Sequence, residues 1–181
     1  MMGFKHKPVM MKECIEYLRI KPDGVYVDGT IGGAGHSMEI YRNLDTKGVL
    51  LGIDQDEAAL RASQSRLEGE KSAAKLILIS GNFRHIRDIC LEQGFEKVDG
   101  ILLDIGVSSH QLDEGGRGFS YQKDAPLDMR MDRSRDLNAG TIVNRYEKEE
   151  LRDIIRTYGE EKWASRIAEF IVKARMEKEI S

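Results

Sequence analysis

The stretch Val25-Tyr-Val-Asp28, followed by Gly-Thr-Ile-Gly32-Gly33-Ala34-Gly35-His36, limits what this chain can fold into more than any other part. A short apolar run ends in a carboxylate, passes into a glycine-rich turn, and continues as a helical pattern to about Leu44. Strand, tight turn and helix in that order open a βα unit. Glycines in such a turn permit positive φ and let a ligand approach the backbone closely. The helix N-terminus beyond them offers free N–H donors. The spacing is not the G-x-G-x-x-G of dinucleotide-binding folds. A carboxylate beside the turn disfavours a pyrophosphate and suits a cation, such as the ammonium of an amino acid. Both points argue against a nicotinamide oxidoreductase. A turn whose glycines serve packing alone is the competing reading.

Further βα units follow. Val49 to Ile53 is a second strand, closed by Asp54 and followed by a helix from about Asp56 to Leu67. Leu76 to Ile79 is a third strand, with a helix near His85 to Glu92. Val98 to Ile105, centred on Gly100-Ile-Leu-Leu-Asp104, is a fourth, and a short helix over Val9 to Leu18 precedes the first. Continuous apolar runs alternating with amphipathic stretches predict an α/β fold, a doubly wound parallel sheet with strands buried on both faces.

Ligands in open α/β sheets bind outside the carboxyl ends of the strands. Asp54, 26 residues past Asp28, stands where an acid accepts hydrogen bonds from ribose hydroxyls. Asn82-Phe83 follows the third strand, where an aromatic ring either stacks on a base or simply fills the core. The fourth strand ends in Asp104-Ile-Gly-Val-Ser108-Ser109, with Gln111 beyond it. These supply an acceptor and several two-way hydrogen-bonders beside the same crevice. The ligand these positions describe is cationic and nucleoside-like.

After Gly106 the pattern changes. Residues 107–136 are polar, charged and glycine-bearing with no clean period, and an irregular segment of that length is functional or disordered. Arg117, Phe119 and the glycine between them suit gripping a splayed nucleotide by phosphate contact and stacking. A solvated loop of mixed charge is the alternative. Two helices are expected next, over 138–157 and 160–178. In the second, Trp163, Ile167, Phe170, Ile171 and Ala174 share one apolar face and predict a helix–helix core.

Bulk composition adds little. The chain has 181 residues, 40% hydrophobic and 33% charged, without an apolar run of membrane-spanning length. It carries no signal-peptide pattern, so a cytoplasmic location is the expectation. Cys14 and Cys90 have no metal-ligand spacing and read as small apolar residues; no metal site is expected. The net charge of −3 argues mildly against a surface wholly built for nucleic acid, but a local basic groove is compatible with it.

Taken together, Asp28-Gly-Thr-Ile-Gly-Gly-Ala-Gly-His-Ser37, Asp104-Ile-Gly-Val-Ser-Ser109, Gln111-Leu-Asp113, Arg117-Gly-Phe-Ser120 and Pro126-Leu-Asp128-Met-Arg130-Met-Asp132 resemble the bacterial MraW family. His6-Lys-Pro-Val9, Tyr158-Gly-Glu-Glu161 and Arg166-Ile-Ala168 add to the likeness, which runs along essentially the whole chain. The resemblance implies a class I, Rossmann-like methyltransferase that N4-methylates a cytidine of 16S rRNA in the decoding region, in ribosome biogenesis. It implies that Ala34, Gly35, His36, Asp54, Phe83, Asp104 and Gln111 contact S-adenosylmethionine. Gly35, Asp54, Phe83 and Asp104 stand out by position as well. Ala34, His36 and Gln111 take that role from the resemblance alone. Asp104 becomes the candidate acceptor for the amino group, and Ser108, Ser109, Arg117, Phe119, Asp128 and Arg130 become candidates for holding RNA. Many amino-methylating enzymes carry an acid or amide, two prolines and an aromatic at the catalytic position; here Asp104-Ile-Gly-Val stands instead.

The expected organisation is a cofactor-binding part over 1–106, a substrate loop over 107–136, and the start of a helical substrate-recognition domain over 137–181. Members of the family are considerably longer, and three further strands would follow. The reading is therefore a C-terminally truncated chain with an incomplete sheet, or one that covers its open edge as a homodimer. A non-catalytic cofactor- or partner-binding module is the other functional reading.

Overall fold

The computed structural model describes residues 8–70, 72–108, 111–112, 114–122 and 124–181, which fall into two compact units, 1–109 and 110–181. In the first unit, α1 (Met11–Leu18) precedes β1 (Val25–Asp28), α2 (Gly35–Arg42), β2 (Val49–Asp54), α3 (Glu57–Leu67), β3 (Lys75–Ser80), α4 (Ile86–Glu92) and β4 (Gly100–Leu102). The strands form one parallel sheet in the order β3-β2-β1-β4. Alternate residues of each strand face opposite sides. Tyr26, Leu50 and Leu102 pack with Ile40, Tyr41 and Leu67 on one face, against α1, α2 and α3. Val27, Leu51 and Ile53 pack with Ile89 and Cys90 on the other, against α4. Helices on both faces of a parallel sheet make this the doubly wound, class I methyltransferase-like α/β fold that the sequence predicts.

β4 is shorter than its apolar run. Its only sheet partner among the described residues is β1, which ends at Asp28, where the chain turns and Gly29 N–H closes on Leu102 O at 2.9 Å. Leu103 to Ile105 therefore have no ladder to join, and Ile101, Leu103, Ile105 and Val107 are exposed along that edge.

Gly52 lies mid-strand in β2 because its neighbours leave no room for a side chain. A Cβ there would overlap Ile31 Cδ1 and come within 2.9 Å of Leu78 Cδ2. Gly52→Ala is expected to destabilise the first unit by about 1–3 kcal/mol through overpacking, read as a lower urea midpoint at unchanged slope.

The second unit opens with the segment around Gly115–Arg117, a single 3-10 turn, and continues as α5 (Ala139–Arg145), α6 (Lys148–Gly159) and α7 (Ala164–Glu177). The helix expected over 138–157 is thus two. Asn138 caps α5, accepting from Thr141 N–H; Tyr146 is extended; Glu147 and Glu150 then form a reciprocal capping box that starts α6. The α7 face also differs from expectation. Ala164 and Ala168 are buried, whereas Trp163 and Phe170 are 67% and 56% exposed, with Arg166 stacked over Phe170. Small side chains let α7 approach its neighbour closely, so the contact stripe sits one position round from the bulky one.

No helix among the described residues is long and apolar enough to cross a membrane.

Candidate functional site

The carboxyl ends of β2, β1 and β4 lie side by side, and each delivers an acid: Asp54, Asp28 and, just past the strand, Asp104. The glycine-rich turn between β1 and α2 runs across them. Its backbone is tightly specified. Gly32 has φ +48 and Ala34 φ +58, and the Ala34 N–H bonds to Ile31 O at 2.7 Å. Ala34 is fully buried in this left-handed conformation, which L side chains rarely adopt.

Asp28 is not open to a ligand. It is buried, and its two oxygens accept from Thr30 N–H at 3.1 Å and Ser37 Oγ–H at 2.6 Å. Burial pushes its carboxyl above the usual carboxylate range, against the pull of those two donors. Its part is to shape the turn.

Asp54 links strand and turn. One oxygen accepts from Gly32 N–H and the other from Asp56 N–H, both at 2.9 Å. Burial raises its carboxyl too, with the backbone donors opposing. Each oxygen retains a second lone-pair direction, so the group still has acceptor capacity for a hydroxyl. Asp56 next to it caps α3, accepting from Ala58 N–H.

Asp104 is half-exposed, and its backbone N–H donates to Thr30 Oγ1 at 2.7 Å. Thr30 thereby ties the end of β4 to the turn after β1. His36, buried at the start of α2, places Nδ1 3.8 Å from Asp104 Oδ2 and Nε2 2.8 Å from Val9 O. Phe83 is half-buried at the start of a 3-10 turn after β3, where a Cβ on Gly29 would meet its Cβ at 3.1 Å. Asn82 caps that turn and donates to Gln55 Oε1 at 2.9 Å, bracing the β2 and β3 ends.

The structure thus brings Ala34, Gly35, His36, Asp54, Phe83 and Asp104 to one end of one sheet. Ser108 is half-buried at the end of the first unit, and Ser109 lies outside the described residues, as do Asp113, His6 and Lys7. Gln111 belongs to the second unit, where it is buried. Sequence reasoning missed three supports: Thr30, Ser37 and Arg66, whose guanidinium donates to Gly33 O at 2.8 Å. Ser37 and Arg66 act across 9 and 33 residues, separations without periodic signal.

In the second unit, Arg117 is buried and its guanidinium donates to the carbonyls of Arg130 and Met131 at 2.9 and 3.3 Å, with the Phe119 ring beside it. Arg130 forks onto Asp128 at 2.6 and 3.0 Å and donates to Arg135 O at 2.6 Å. Gly118 and Met129 take positive φ, and Met129 N–H closes on Arg117 O. The segment is therefore a hydrogen-bonded loop in which both arginines are engaged internally. Arg130 beside Asp128 holds that carboxyl down at about 2. A lowered folded value stabilises above the unfolded value near 3.9 and is lost as pH falls towards 2. Roughly 1–2 kcal/mol of second-unit stability should disappear across that window, and Asp128→Asn should flatten the acid limb of the unfolding curve.

The whole chain has known relatives. It is 63% identical, over 99% of its length, to ribosomal RNA small subunit methyltransferase H of Acetivibrio thermocellus. It is 58% identical over 96% to the protein of that name from Ruminiclostridium cellulolyticum. The chain spans 57% and 56% of the length of these two relatives. Among solved structures, a protein-L-isoaspartate O-methyltransferase overlaps 60% of this chain and 34% of its own, at 18% identity and a TM-score of 0.43. The model of the MraW methylase family matches residues 3–181, the turn, the acids and the arginine loop included, and the chain belongs to that family.

Proposed function

We propose that this chain binds S-adenosylmethionine across the carboxyl ends of its strands and serves N4-methylation of a specific cytidine in the decoding region of 16S rRNA. The observation that carries the reading is the acid set at one sheet end: Asp54 and Asp104 with acceptor capacity, Asp28 buried behind them. A ligand with a sulfonium and an ammonium fits a crevice of carboxylates, whereas a pyrophosphate does not. The relatives' name, ribosomal RNA small subunit methyltransferase H, supplies the substrate class.

In this reading Asp54 accepts from the ribose hydroxyls, Phe83 stacks on the adenine, and the Ala34–His36 backbone holds the amino-acid end. Asp104 receives the cytosine amino group. When bound, S-adenosylmethionine offers a methyl group on sulfur to an attacking lone pair. The N4 lone pair of cytosine is delocalised into its ring, so the protein's task is orientation: an acceptor on the amino N–H turns the remaining electron density towards the methyl. A paired cytidine must also leave its stack. Residues 1–106 serve the cofactor, and the 107–136 loop and the helices after it serve the RNA. Ser108 and Ser109 are proposed RNA contacts, and Arg117, Phe119, Asp128 and Arg130 shape the loop that meets the RNA.

The test is incubation of the full chain with immature small subunits, naked small-subunit rRNA and methyl-labelled cofactor. Label on cytidine N4 is expected. Cofactor binding without transfer would show a non-catalytic binding module instead.

A further inference from the structure

The His36 ring is enclosed, and both its nitrogens face defined groups. A carbonyl only accepts, so the 2.8 Å contact of Nε2 with Val9 O places the proton on Nε2. In the neutral ring Nδ1 then carries the lone pair, 3.8 Å from Asp104 Oδ2. Among the described residues, Asp104 forms the ion-pair contact with the ring, and the buried Asp28 carboxyl also interacts with it electrostatically. Asp104 is 48% exposed and His36 only 7%, so the carboxylate is the solvent-facing member of the pair. Asp104 is anchored by its backbone bond to Thr30 Oγ1.

We propose that His36 is a positioning and relay residue for methylation, its Nδ1 taking over the proton that Asp104 receives from the methylated amino group. The inference rests on the methyltransferase reading above. As the N–C bond forms, the C–S bond breaks and its electron pair stays on sulfur. The nitrogen then carries one proton too many. That proton passes to Asp104 Oδ2 and on to His36 Nδ1, which restores the carboxylate and leaves an imidazolium beside it. At 3.8 Å the two atoms are not hydrogen-bonded, so the transfer requires a shorter approach or one bridging water in the loaded chain, catalytic hydrogen bonds often being long before the substrate is bound. The Val9 carbonyl is the device that makes this possible, because it denies the ring its other tautomer.

Two measurements test the inference. Long-range 1H–15N spectra of the histidine-labelled full chain, with His36 identified by its loss in His36→Gln, read the tautomer without any turnover. The neutral ring is expected as Nε2–H, with the Nδ1 resonance moving in Asp104→Asn while Nε2 stays. An Nδ1–H tautomer, or an Nδ1 signal blind to Asp104→Asn, overturns the relay whether or not the cofactor binds. In label transfer, His36→Gln should lose about tenfold in kcat, and Asp104→Asn with His36→Gln should be no slower than Asp104→Asn alone. Losses that multiply would mean the two side chains act separately and also overturn it. If no label is transferred by the wild-type chain, the methyltransferase reading fails, and the spectra still decide the pairing of His36 with Asp104.

Discussion

Asp54→Ala is expected to weaken S-adenosylmethionine binding by about 100-fold, roughly 2.7 kcal/mol, in equilibrium dialysis with labelled cofactor. Two losses combine. In the proposed site the variant loses the acceptor for the ribose hydroxyls, and charge-assisted hydrogen bonds of this kind are among the stronger ones. The Gly32 N–H also loses its 2.9 Å acceptor, so the turn is released from the end of β2. Asp54→Asn separates them, since its carbonyl keeps one acceptor at the turn but removes the charge. An intermediate loss is expected. The same carboxyl sets a pH dependence. Burial raises it in the folded protein, so affinity for a cationic ligand should climb as pH rises through the ordinary carboxylate range, and level off only above it. Stability moves the other way: a raised folded value favours the native state at low pH, and that contribution is lost as pH rises through it. Unchanged affinity in Asp54→Ala would remove Asp54 from the site.

Arg117→Met should cost the second unit roughly 2–4 kcal/mol, seen as a lower unfolding midpoint and as new proteolytic cuts within residues 117–136. The guanidinium is buried and bridges two consecutive carbonyls 13 and 14 residues ahead, so a methionine of similar length fills space but leaves both acceptors short of a donor. Arg117→Lys should recover little, because a single ammonium cannot reproduce the planar fork. If Arg117→Met unfolds like the wild type and loses only RNA affinity, Arg117 reaches RNA and the internal bonds carry no weight.

These two residues mark how far the sequence is readable. Asp54 is legible because strand ends are: an apolar run, a carboxylate and a helical pattern leave one place for the acid, and parallel topology puts it beside Asp28 and Asp104. Its bond to Gly32 is not legible, since it crosses 22 residues and depends on one φ angle. Arg117 reads as a surface residue of a mixed-charge loop because nothing periodic announces that its partners are carbonyls. The strands follow from their apolar runs, except that β4 stops where β1 stops. The helix break at Tyr146 carries a faint signal, Glu147 three residues before Glu150, in a place where serine or threonine is the usual cap. On α7 the bulky stripe and the alanine stripe are neighbours, and hydrophobicity alone favours the wrong one.

The acid-lined end of the sheet is expected to hold S-adenosylmethionine. Calorimetric titration of the full chain with S-adenosylmethionine, and with S-adenosylhomocysteine, tests it most directly. One site per chain is expected for each ligand, lost in Asp54→Ala. No heat at millimolar ligand, with the chain folded, would contradict it.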